Sequence, residues 1–389
     1  MRKHLYVIVF LFLGLYSQAR ILRVGLTGIP PVTNVDYTYF YDAYASASNG
    51  DTIYVFPGNR LDGLGWTTSG QQPEIEKRLV IISKGNWLDD SAVPKGNSGL
   101  QASKGTATIG VGAQNLYFKP GSKGSVLMGF NCQNSQGGQI FLQDDSITIK
   151  RNYDCLIYFD NYSLKNLDIE GNYRVWFKGN NNVANVYSNI IIRNNFIYQL
   201  QLPQKKYSGL IANNTWAYDN TGAANGGFST MSHPSSVNLN DGVWIFENNL
   251  FMSYTSSVSN NSTYFLITNG ENAVFNYNVA LQSNNMSGWP GISTGNVFVA
   301  PGVLSTIVEG FPVIGTRSAD NRYMLKAGSP ATQAARTGSS ADAGMFGGVF
   351  PYNLGNIPAI PTIYSISSPQ GNTVTGTSIQ INISTRSNN

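Results

Sequence analysis

The chain has 389 residues and a formal net charge of +4, and only 12% of its residues are charged. Its 41 glycines and 16 prolines are not typical of a helical protein. The basic residues form no run outside the N-terminus, which argues against a nucleic-acid partner.

The N-terminus has the pattern of an export signal. Basic residues at positions 2–4 precede an apolar run from Leu5 to Tyr16 that is too short to span a bilayer comfortably. A small-residue cleavage site ends at Ala19, so we predict a signal peptide at 1–19 and a mature chain from Arg20. The alternative is an uncleaved anchor. No later stretch is long and apolar enough to span a membrane, so we expect a secreted or cell-surface protein.

The next segments predict a helix followed by strands. Aromatic and apolar residues recur at helical spacing between Asp36 and Gly50, which predicts an amphipathic capping helix with Asp36 as its N-cap. The residues GDTIYVFPG at 50–58 predict the first strand and turn, and KRLVIISKGNW at 77–87 predicts the next coil.

A short pattern then recurs at roughly twenty residues, with longer insertions in the later copies: apolar, any, apolar, any, any, asparagine. The asparagines of the copies are Asn131, Asn152, Asn172, Asn195, Asn214, Asn249 and Asn278. Alternating apolar residues predict a strand with one buried face. Asparagine tolerates the left-handed backbone of a bend, and stacked amides both donate and accept hydrogen bonds. The short period leaves no room for crossover helices, so the coils are predicted to stack as parallel strands.

Near the C-terminus, GSPATQAARTGSSADAGMFGG occupies 328–348. Together with the segments at 50–58 and 77–87, it resembles the pectate-lyase-like right-handed parallel β-helix superfamily, specifically its secreted bacterial members, where such a segment forms the closing coil. The resemblance extends from Asp36 to Phe350. It implies an all-β, single-stranded right-handed parallel β-helix with an N-terminal capping helix. The resemblance implies much more about the fold than about catalytic chemistry.

We therefore predict a signal peptide at 1–19, a β-helix at 20–350 and C-terminal capping strands or a tail at 351–389. Two alternating segments, at 362–367 and 378–385, predict a strand pair that shields the edge of the last coil. The alternative is an attachment or sorting tail. We expect a monomer.

Cys132 and Cys155 lie about one repeat apart in a chain predicted to enter an oxidising compartment. Two alternatives stay open, a disulfide and two buried free thiols, because the sequence does not determine the distance between the Cβ atoms of the two cysteines. His233 is the single histidine after the predicted signal peptide, and we expect it to be incidental.

The resemblance implies that the asparagine ladder follows the second sheet, so the strands one turn away form the first sheet, where substrates bind. The predicted outward side chains are Phe141, Tyr158 and Trp176 in one column and Gln143, Asp160 and Lys178 beside them. Rings stack on sugar faces while hydroxyls need charged or amide partners, so this face predicts a site for a polysaccharide or cell-surface glycan. Packing of the rings against one another is the alternative.

The sequence pattern that indicates catalysis is weaker than the one that indicates glycan binding. Lyases of this superfamily use acidic residues to hold calcium and a basic residue as the base, whereas its hydrolases use clustered aspartates, and the residues at 143–145 resemble a QDD segment of those hydrolases. Asp144, Asp145, Asp160 and Lys178 are therefore the catalytic candidates, and the three aspartates are candidate Ca²⁺ ligands. Solvated capping of a turn is the alternative for the aspartate pair.

The hydrolases' NTD, GHG and RIK elements are missing from the sequence. Enzyme status therefore stays open, with a polysaccharide lyase or a glycoside hydrolase as the two classes and no cofactor beyond Ca²⁺ suggested. Our hypothesis is an exported β-helix protein that binds a polysaccharide along its first sheet, with or without cleaving it. The rival hypothesis is a non-catalytic surface, adhesion or structural solenoid.

Overall fold

A computed structural model describes residues 19–25, 35–56, 73–85, 107–109, 115–132, 138–160, 162–179, 185–202, 207–217, 235–238, 243–252, 265–268, 273–281, 292–299, 304–309, 320–335, 342–356, 362–367 and 382–386. The predicted signal peptide, apart from Ala19, and His233 lie outside these residues. The helices within them are short: α1 is Phe40–Ser46, α2 is Leu304–Ile307, and single 3-10 turns are Asn321–Tyr323 and Leu354–Asn356. None of the described helices is long and apolar enough to cross a membrane.

The strands fall into two long parallel sheets, and the chain alternates between them. The second sheet contains Ile21–Val24, Thr52–Val55, Val80–Ile82, Val126–Met128, Thr148–Lys150, Leu164–Lys165, Asp168–Glu170, Tyr187–Arg193, Tyr207–Ala212, Trp244–Glu247, Val274–Asn276 and Ile292–Thr294. The first sheet contains Glu74–Ile75, Leu116–Phe118, Gln139–Leu142, Leu156–Phe159, Tyr173–Gly179, Phe196–Leu202, Thr215–Ala217, Ser235–Asn238, Leu250–Met252, Phe265–Thr268, Val279–Leu281 and Val297–Val299. This topology confirms the predicted parallel β-helix.

The core lies between the two sheets and is filled by alternate residues of each strand. In the first sheet the residues that alternate with the predicted outward side chains are fully buried or nearly so: Ile140, Leu142, Ile157, Phe159, Val175 and Phe177. They belong to one continuous apolar cluster that also includes Phe40 and Ala43 of α1. The capping helix is thus confirmed, and it is shorter than predicted.

The N-terminal coil differs from the prediction. The first strand is Ile21–Val24, which pairs in parallel with Thr52–Val55 and buries Leu22 against the core. Asp36 does not cap the helix, because its carboxylate accepts hydrogen bonds from the backbone N–H and the guanidinium of Arg23 at 2.8 and 3.2 Å. The helix begins at Phe40, and Tyr39 occupies the N-cap position without a side-chain cap.

The asparagine ladder is present and runs through Asn152, Asn172, Asn195, Asn214, Asn249, Asn278 and Asn296. Each amide Nδ2 donates to the Oδ1 of the next member at 2.9–3.1 Å. The prediction for Asn131 is wrong: Phe130 occupies the ladder position and donates its N–H to Oδ1 of Asn152. Val126 pairs with Thr148, so this coil is displaced by one residue from the sequence pattern.

The left-handed backbone at this corner belongs to the residue before each ladder asparagine, not to the ladder asparagine itself. The residues concerned, with φ between 52° and 65°, are Arg151, Gly171, Asn194, Asn213, Asn248, Tyr277 and Gly295. At this corner one residue forms the bend and the next residue forms the ladder. Asparagine suits both positions, which explains the Asn-Asn pairs that end several of the strands.

The described residues 342–352, which include the end of the segment predicted to form the closing coil, instead fold back along the outside of the solenoid. The amide Nδ2 of Asn194 donates to the carbonyls of Met345 and Gly347 at 3.0 and 2.7 Å, and the N–H of Met345 donates to Oγ1 of Thr215 at 3.0 Å. A second apolar cluster lies beneath this segment and includes Tyr173, Phe196, Leu250, Val279, Tyr323, Met345 and Tyr352. The segment therefore covers the corner that follows the ladder.

Two further predictions concern cross-linking and the C-terminus. Cys132 and Cys155 form a disulfide, with their Cα atoms 4.9 Å apart, which settles the alternative left open by the sequence. Thr362–Ser367 and Asn382–Arg386 form an antiparallel pair, as the alternating segments indicated. The domain boundary at 350 and the shielding of the last coil by this pair stay predictions.

Candidate functional site

The first sheet carries a column of aromatic side chains on its outer face. Phe141 pairs directly with Tyr158 on the next strand, and their ring centroids are 4.8 Å apart. Tyr117, one coil before, lies 4.6 Å from Phe141 in the same column. All three rings are half-buried. We call Tyr117, Phe141 and Tyr158 the aromatic strip.

Trp176 does not belong to this strip, so the predicted column is wrong at its third member. Lys178 is the residue that pairs with Tyr158, whereas Trp176 pairs with Leu156 and stacks on Tyr198 at 4.8 Å. The ladder accounts for the difference: Trp176 and Leu156 each follow their ladder asparagine by the same number of residues. Lys178 is likewise the counterpart of Tyr158.

A lysine lies over the ring at each end of the aromatic strip. The Nζ of Lys119 is 5.3 Å from the ring centroid of Tyr117, and the Nζ of Lys178 is 5.6 Å from that of Tyr158. Both distances fall within the range of cation–π attraction. Lys119 also pairs with Glu74 at 3.2 Å.

The rings of the strip present their edges to solvent. Adjacent planes are inclined by only 16° and 23°, so each ring covers the face of its neighbour. A lysine also lies over each of the two terminal rings. A ligand would therefore meet ring edges and phenol hydroxyls rather than ring faces, unlike the face stacking expected from the sequence.

Gln143 and Asp160 lie side by side in the neighbouring column. The amide Nε2 of Gln143 donates to Oδ2 of Asp160. Gln143 is 8% exposed, so it is more deeply buried than an outward-facing residue was expected to be. The hydroxyl of Tyr187 donates to the carbonyl of Asp160 at 2.9 Å. Burial, with the charge of Asp160 adding to it, raises the pKa of Tyr187 to about 12, so this hydroxyl remains a donor at neutral pH.

The two adjacent aspartates cap turns of different coils. Oδ2 of Asp144 accepts from the N–H groups of Gly121 and Lys123 at 2.8 and 2.9 Å. Oδ1 of Asp145 accepts from the N–H of Lys165 at 2.9 Å. These bonds match the turn-capping alternative considered for the pair. A catalytic role for these aspartates, and for Asp160 and Lys178, stays a prediction.

The described side chains do not assemble a metal site. Within the ranges listed above, no group of three or more histidine, cysteine, aspartate or glutamate residues is placed to hold a metal ion. Asp144 and Asp145 direct carboxylate oxygens at backbone amides on either side, which is a poor fit to the predicted Ca²⁺ site. No other observation on the described residues supports the predicted Ca²⁺ site.

Sequence reasoning missed Glu74, Tyr117 and Lys119. The signal was present in the residues at 115–119, where buried Leu116 and Phe118 alternate with the outward residues just as Ile140 and Leu142 do one coil later. Extending the inward–outward pattern by one coil toward the N-terminus would have found two of the three.

The outer face of the second sheet carries a charged cluster of a different kind. Glu170 pairs with Lys150 at 3.3 Å and with Arg193 at 2.7 Å. The guanidinium of Arg193 lies 4.3 Å from the ring centroid of Phe350, in the folded-back segment. Asp168 pairs with the same two cations, at 3.3 Å from Lys150 and 3.4 Å from Arg193. The two acidic and two basic groups neutralise one another and hold neighbouring coils together, which indicates a structural role.

Comparison with known proteins adds little to this geometry. The sequence matches no family model and no curated protein. Among solved structures, the pectin methylesterase from Aspergillus niger, in deglycosylated form, is similar over 82% of this chain and 94% of that chain, with 12% sequence identity and a TM-score of 0.34. The conclusion that this chain is a parallel β-helix rests on its own strand pairing, and membership of the pectate-lyase-like superfamily stays a prediction.

Proposed function

We propose that this protein, exported from the cell, binds a polysaccharide in an extended conformation along the aromatic strip and does not cleave it. The observation that carries the proposal is the continuous column of half-buried Tyr117, Phe141 and Tyr158 with Lys119 and Lys178 at its two ends. A row of ring edges bordered by hydrogen-bonding groups suits a long, polyhydroxylated ligand.

The dimensions of this face suit a chain-like ligand. The column from Glu74 to Lys178 crosses successive coils of the first sheet, which are stacked at about 4.8 Å. A polysaccharide lying along the stacking direction would meet a similar set of groups at each coil. The phenol hydroxyls and the Gln143–Asp160 pair supply its hydrogen-bond partners, directly or through water.

The charges on this face favour a neutral glycan. Lys119 and Lys178 are balanced by Glu74 and Asp160, and Lys119 is already paired with Glu74. A polyuronate needs an excess of cations along the groove, and these four residues give none. We therefore assign a neutral polysaccharide as the preferred ligand class.

The bonds of the acidic residues support the proposal of binding without turnover. The carboxylates of Asp144 and Asp145 accept from backbone amides, and that of Asp160 accepts from Gln143. General acid–base cleavage needs two groups that converge on one glycosidic bond. Asp144 and Asp145 instead direct oxygens to backbone amides of two different coils.

A second candidate function, a rigid structural or adhesive solenoid, is favoured by the mutual stacking of the rings. Rings that cover one another's faces stabilise the sheet whether or not a ligand binds. The two candidates differ in one respect. Only the first requires that a change in the aromatic strip alters glycan binding.

The test compares two tyrosines in similar surroundings. Tyr158 and Tyr198 are both half-buried on the first sheet, each stacks on a neighbouring ring at 4.8 Å, and each has a cation over it, at 5.6 and 5.5 Å. On an array of neutral and acidic glycans, we expect Tyr158→Ala to weaken retention at least about tenfold, equivalent to about 1.4 kcal/mol. Tyr198→Ala should bind like the wild type.

Two outcomes would contradict the proposal: no glycan retained by the wild type, or equal losses in the two variants. Release of unsaturated products or new reducing ends from the retained glycan would contradict the absence of cleavage. Stronger retention of polyuronates than of neutral glycans would contradict the ligand class.

A further inference from the structure

Asp51 directly precedes the strand Thr52–Val55, and its carboxylate is buried, with the side chain 3% exposed. Its Oδ1 accepts from the backbone N–H of Arg20 at 2.8 Å. Its Oδ2 accepts from the Arg20 guanidinium at 2.8 and 3.2 Å and from the N–H of Ser48 at 2.9 Å. Arg20 therefore supplies both a main-chain and a side-chain partner to one carboxylate.

Arg20 is also the point at which the chain enters the solenoid. Its carbonyl accepts from the N–H of Thr52 at 2.8 Å, and the first strand, Ile21–Val24, begins at the next residue. Its guanidinium donates to the carbonyl of Ser46, at the end of α1, at 2.7 Å. Ala19, directly before it, is exposed.

We propose that hydrolysis of the Ala19–Arg20 peptide bond creates an α-ammonium group on Arg20 that pairs with Asp51, so that removal of the signal peptide completes the folding of the first strand. Water supplies the oxygen that leaves Ala19 with a carboxylate, and both of its protons pass to the nitrogen of Arg20, which becomes an ammonium. This proposal rests on the predicted signal peptide and is independent of the glycan-binding proposal.

The electrostatic argument depends on the position of one nitrogen. In the uncleaved chain the nitrogen of Arg20 is a neutral amide with a single N–H, and it already points at Oδ1 of Asp51. Cleavage puts a positive charge on the same nitrogen, next to a carboxylate that is shielded from water. Charge-assisted hydrogen bonds are shorter and stronger than neutral ones, so the processed chain should hold its first strand more firmly than any extended chain.

The chain contains a matched arrangement that cannot respond to cleavage. Asp36 accepts from the backbone N–H of Arg23 at 2.8 Å and from its Nε at 3.2 Å. Arg23 lies within the strand, so its nitrogen stays an amide. Asp36→Asn is therefore the control for Asp51→Asn.

The first measurement is the intact mass of the protein exported by a bacterial host, which should correspond to a chain beginning at Arg20. The second compares chains that begin at Arg20 with chains carrying Gly-Ser before it, each with Asp51 or with Asp51→Asn. We expect the extension to lower the melting temperature by about 2 °C or more with Asp51 and by less than half as much with Asp51→Asn. Asp36→Asn should leave the effect of the extension unchanged.

A third measurement does not need a folded Asp51 variant. The rate of acetylation of the terminal amine near neutral pH, followed by mass spectrometry, should be slower for Arg20 than for the Gly-Ser terminus, because the carboxylate favours the protonated amine. An exported chain beginning at another residue, equal effects of the extension with and without the carboxylate, or equal acetylation rates would each overturn the proposal.

Discussion

The amide Nδ2 of Asn172 donates to Oδ1 of Asn195 at 2.9 Å, and neither side chain is exposed to solvent. The same oxygen accepts from the backbone N–H of Asn172, also at 2.9 Å. The amide of Asn195 in turn donates to the carbonyl of Ile169 and to Oδ1 of Asn214. It also donates to the carbonyl of Arg193 in its own coil at 2.9 Å, so one buried side chain satisfies polar groups of three coils.

Replacing this side chain should destabilise the solenoid strongly. In Asn195→Ala the buried donors of Asn172 and the carbonyl of Ile169 lose their partner, and each unsatisfied buried group costs about 1–3 kcal/mol. We expect a loss of about 3 kcal/mol or more in the free energy of unfolding, measured by chemical denaturation. Asn276→Ala, at a half-buried position on the outer face of the second sheet, should change it by less than about 0.5 kcal/mol. Similar losses in the two variants would show that the ladder is not a main source of stability.

The disulfide lies where the ladder ends. Cys155 belongs to the coil of Asn152, and Cys132 belongs to the preceding coil, in which Phe130 replaces the ladder asparagine. The cross-link closes a loop with a sequence separation of 23, for which chain entropy predicts a contribution of about 3 kcal/mol. We expect Cys132→Ser with Cys155→Ser to lower the free energy of unfolding by that amount.

Reductant provides the control for this prediction. It should destabilise the wild type to the level of the double variant and leave the double variant unchanged. Two reactive thiols in the unfolded, unreduced wild-type protein would contradict the cross-link.

Sequence periodicity was sufficient to predict the fold because the ladder needs an asparagine at the same position of each coil that it joins. It was insufficient for the coil of Asn131, where Phe130 can fill the same position without an amide. An alternating sequence is compatible with two strand registers until pairing with a neighbouring strand selects one of them. The hydrogen bond from Phe130 to Asn152 fixes it here.

The candidate site shows the same limit. Phe141 and Tyr158 were predicted correctly as neighbours, since both follow the inward–outward alternation of adjacent strands. Trp176 was misplaced because alternation alone does not fix the register between two strands, whereas the position of Asn172 sets it. The fold-back of the segment near Met345 depends on contacts with residues far away in sequence, which periodicity does not report.

The loss of folding stability at acidic pH should depend on Asp51. Burial opposes its ionised form, but hydrogen bonds from Ser48 and Arg20 outweigh burial, so the pKa of Asp51 lies below its ordinary value. An unfolded aspartate has a pKa near 3.9, so between the two values the unfolded chain binds more protons than the folded chain. The stability that this carboxylate contributes is therefore present above about pH 4 and is lost as the pH falls through the folded pKa.

The measurement compares the wild type with Asp51→Asn across this range. The gap in the free energy of unfolding between the two proteins should be largest near neutral pH and should narrow as the pH is lowered below about 4. A gap that stays constant from pH 7 to pH 3 would show that the carboxylate charge is not what stabilises the first strand.

The folded-back segment should detach when its amide anchor is removed. Asn194 has a left-handed backbone, with φ of 54°, and its side chain donates to the carbonyls of Met345 and Gly347. Asn194→Gly keeps this backbone accessible and deletes both bonds, so we expect a loss of about 2 kcal/mol and faster proteolysis between residues 342 and 352. Asn166→Gly, at an exposed position with φ of 59°, controls for the added backbone freedom and should leave that cleavage rate unchanged. If both variants are cleaved at the wild-type rate, packing of the second apolar cluster alone holds the segment on the solenoid, because its buried rings remain in place when the two hydrogen bonds are lost.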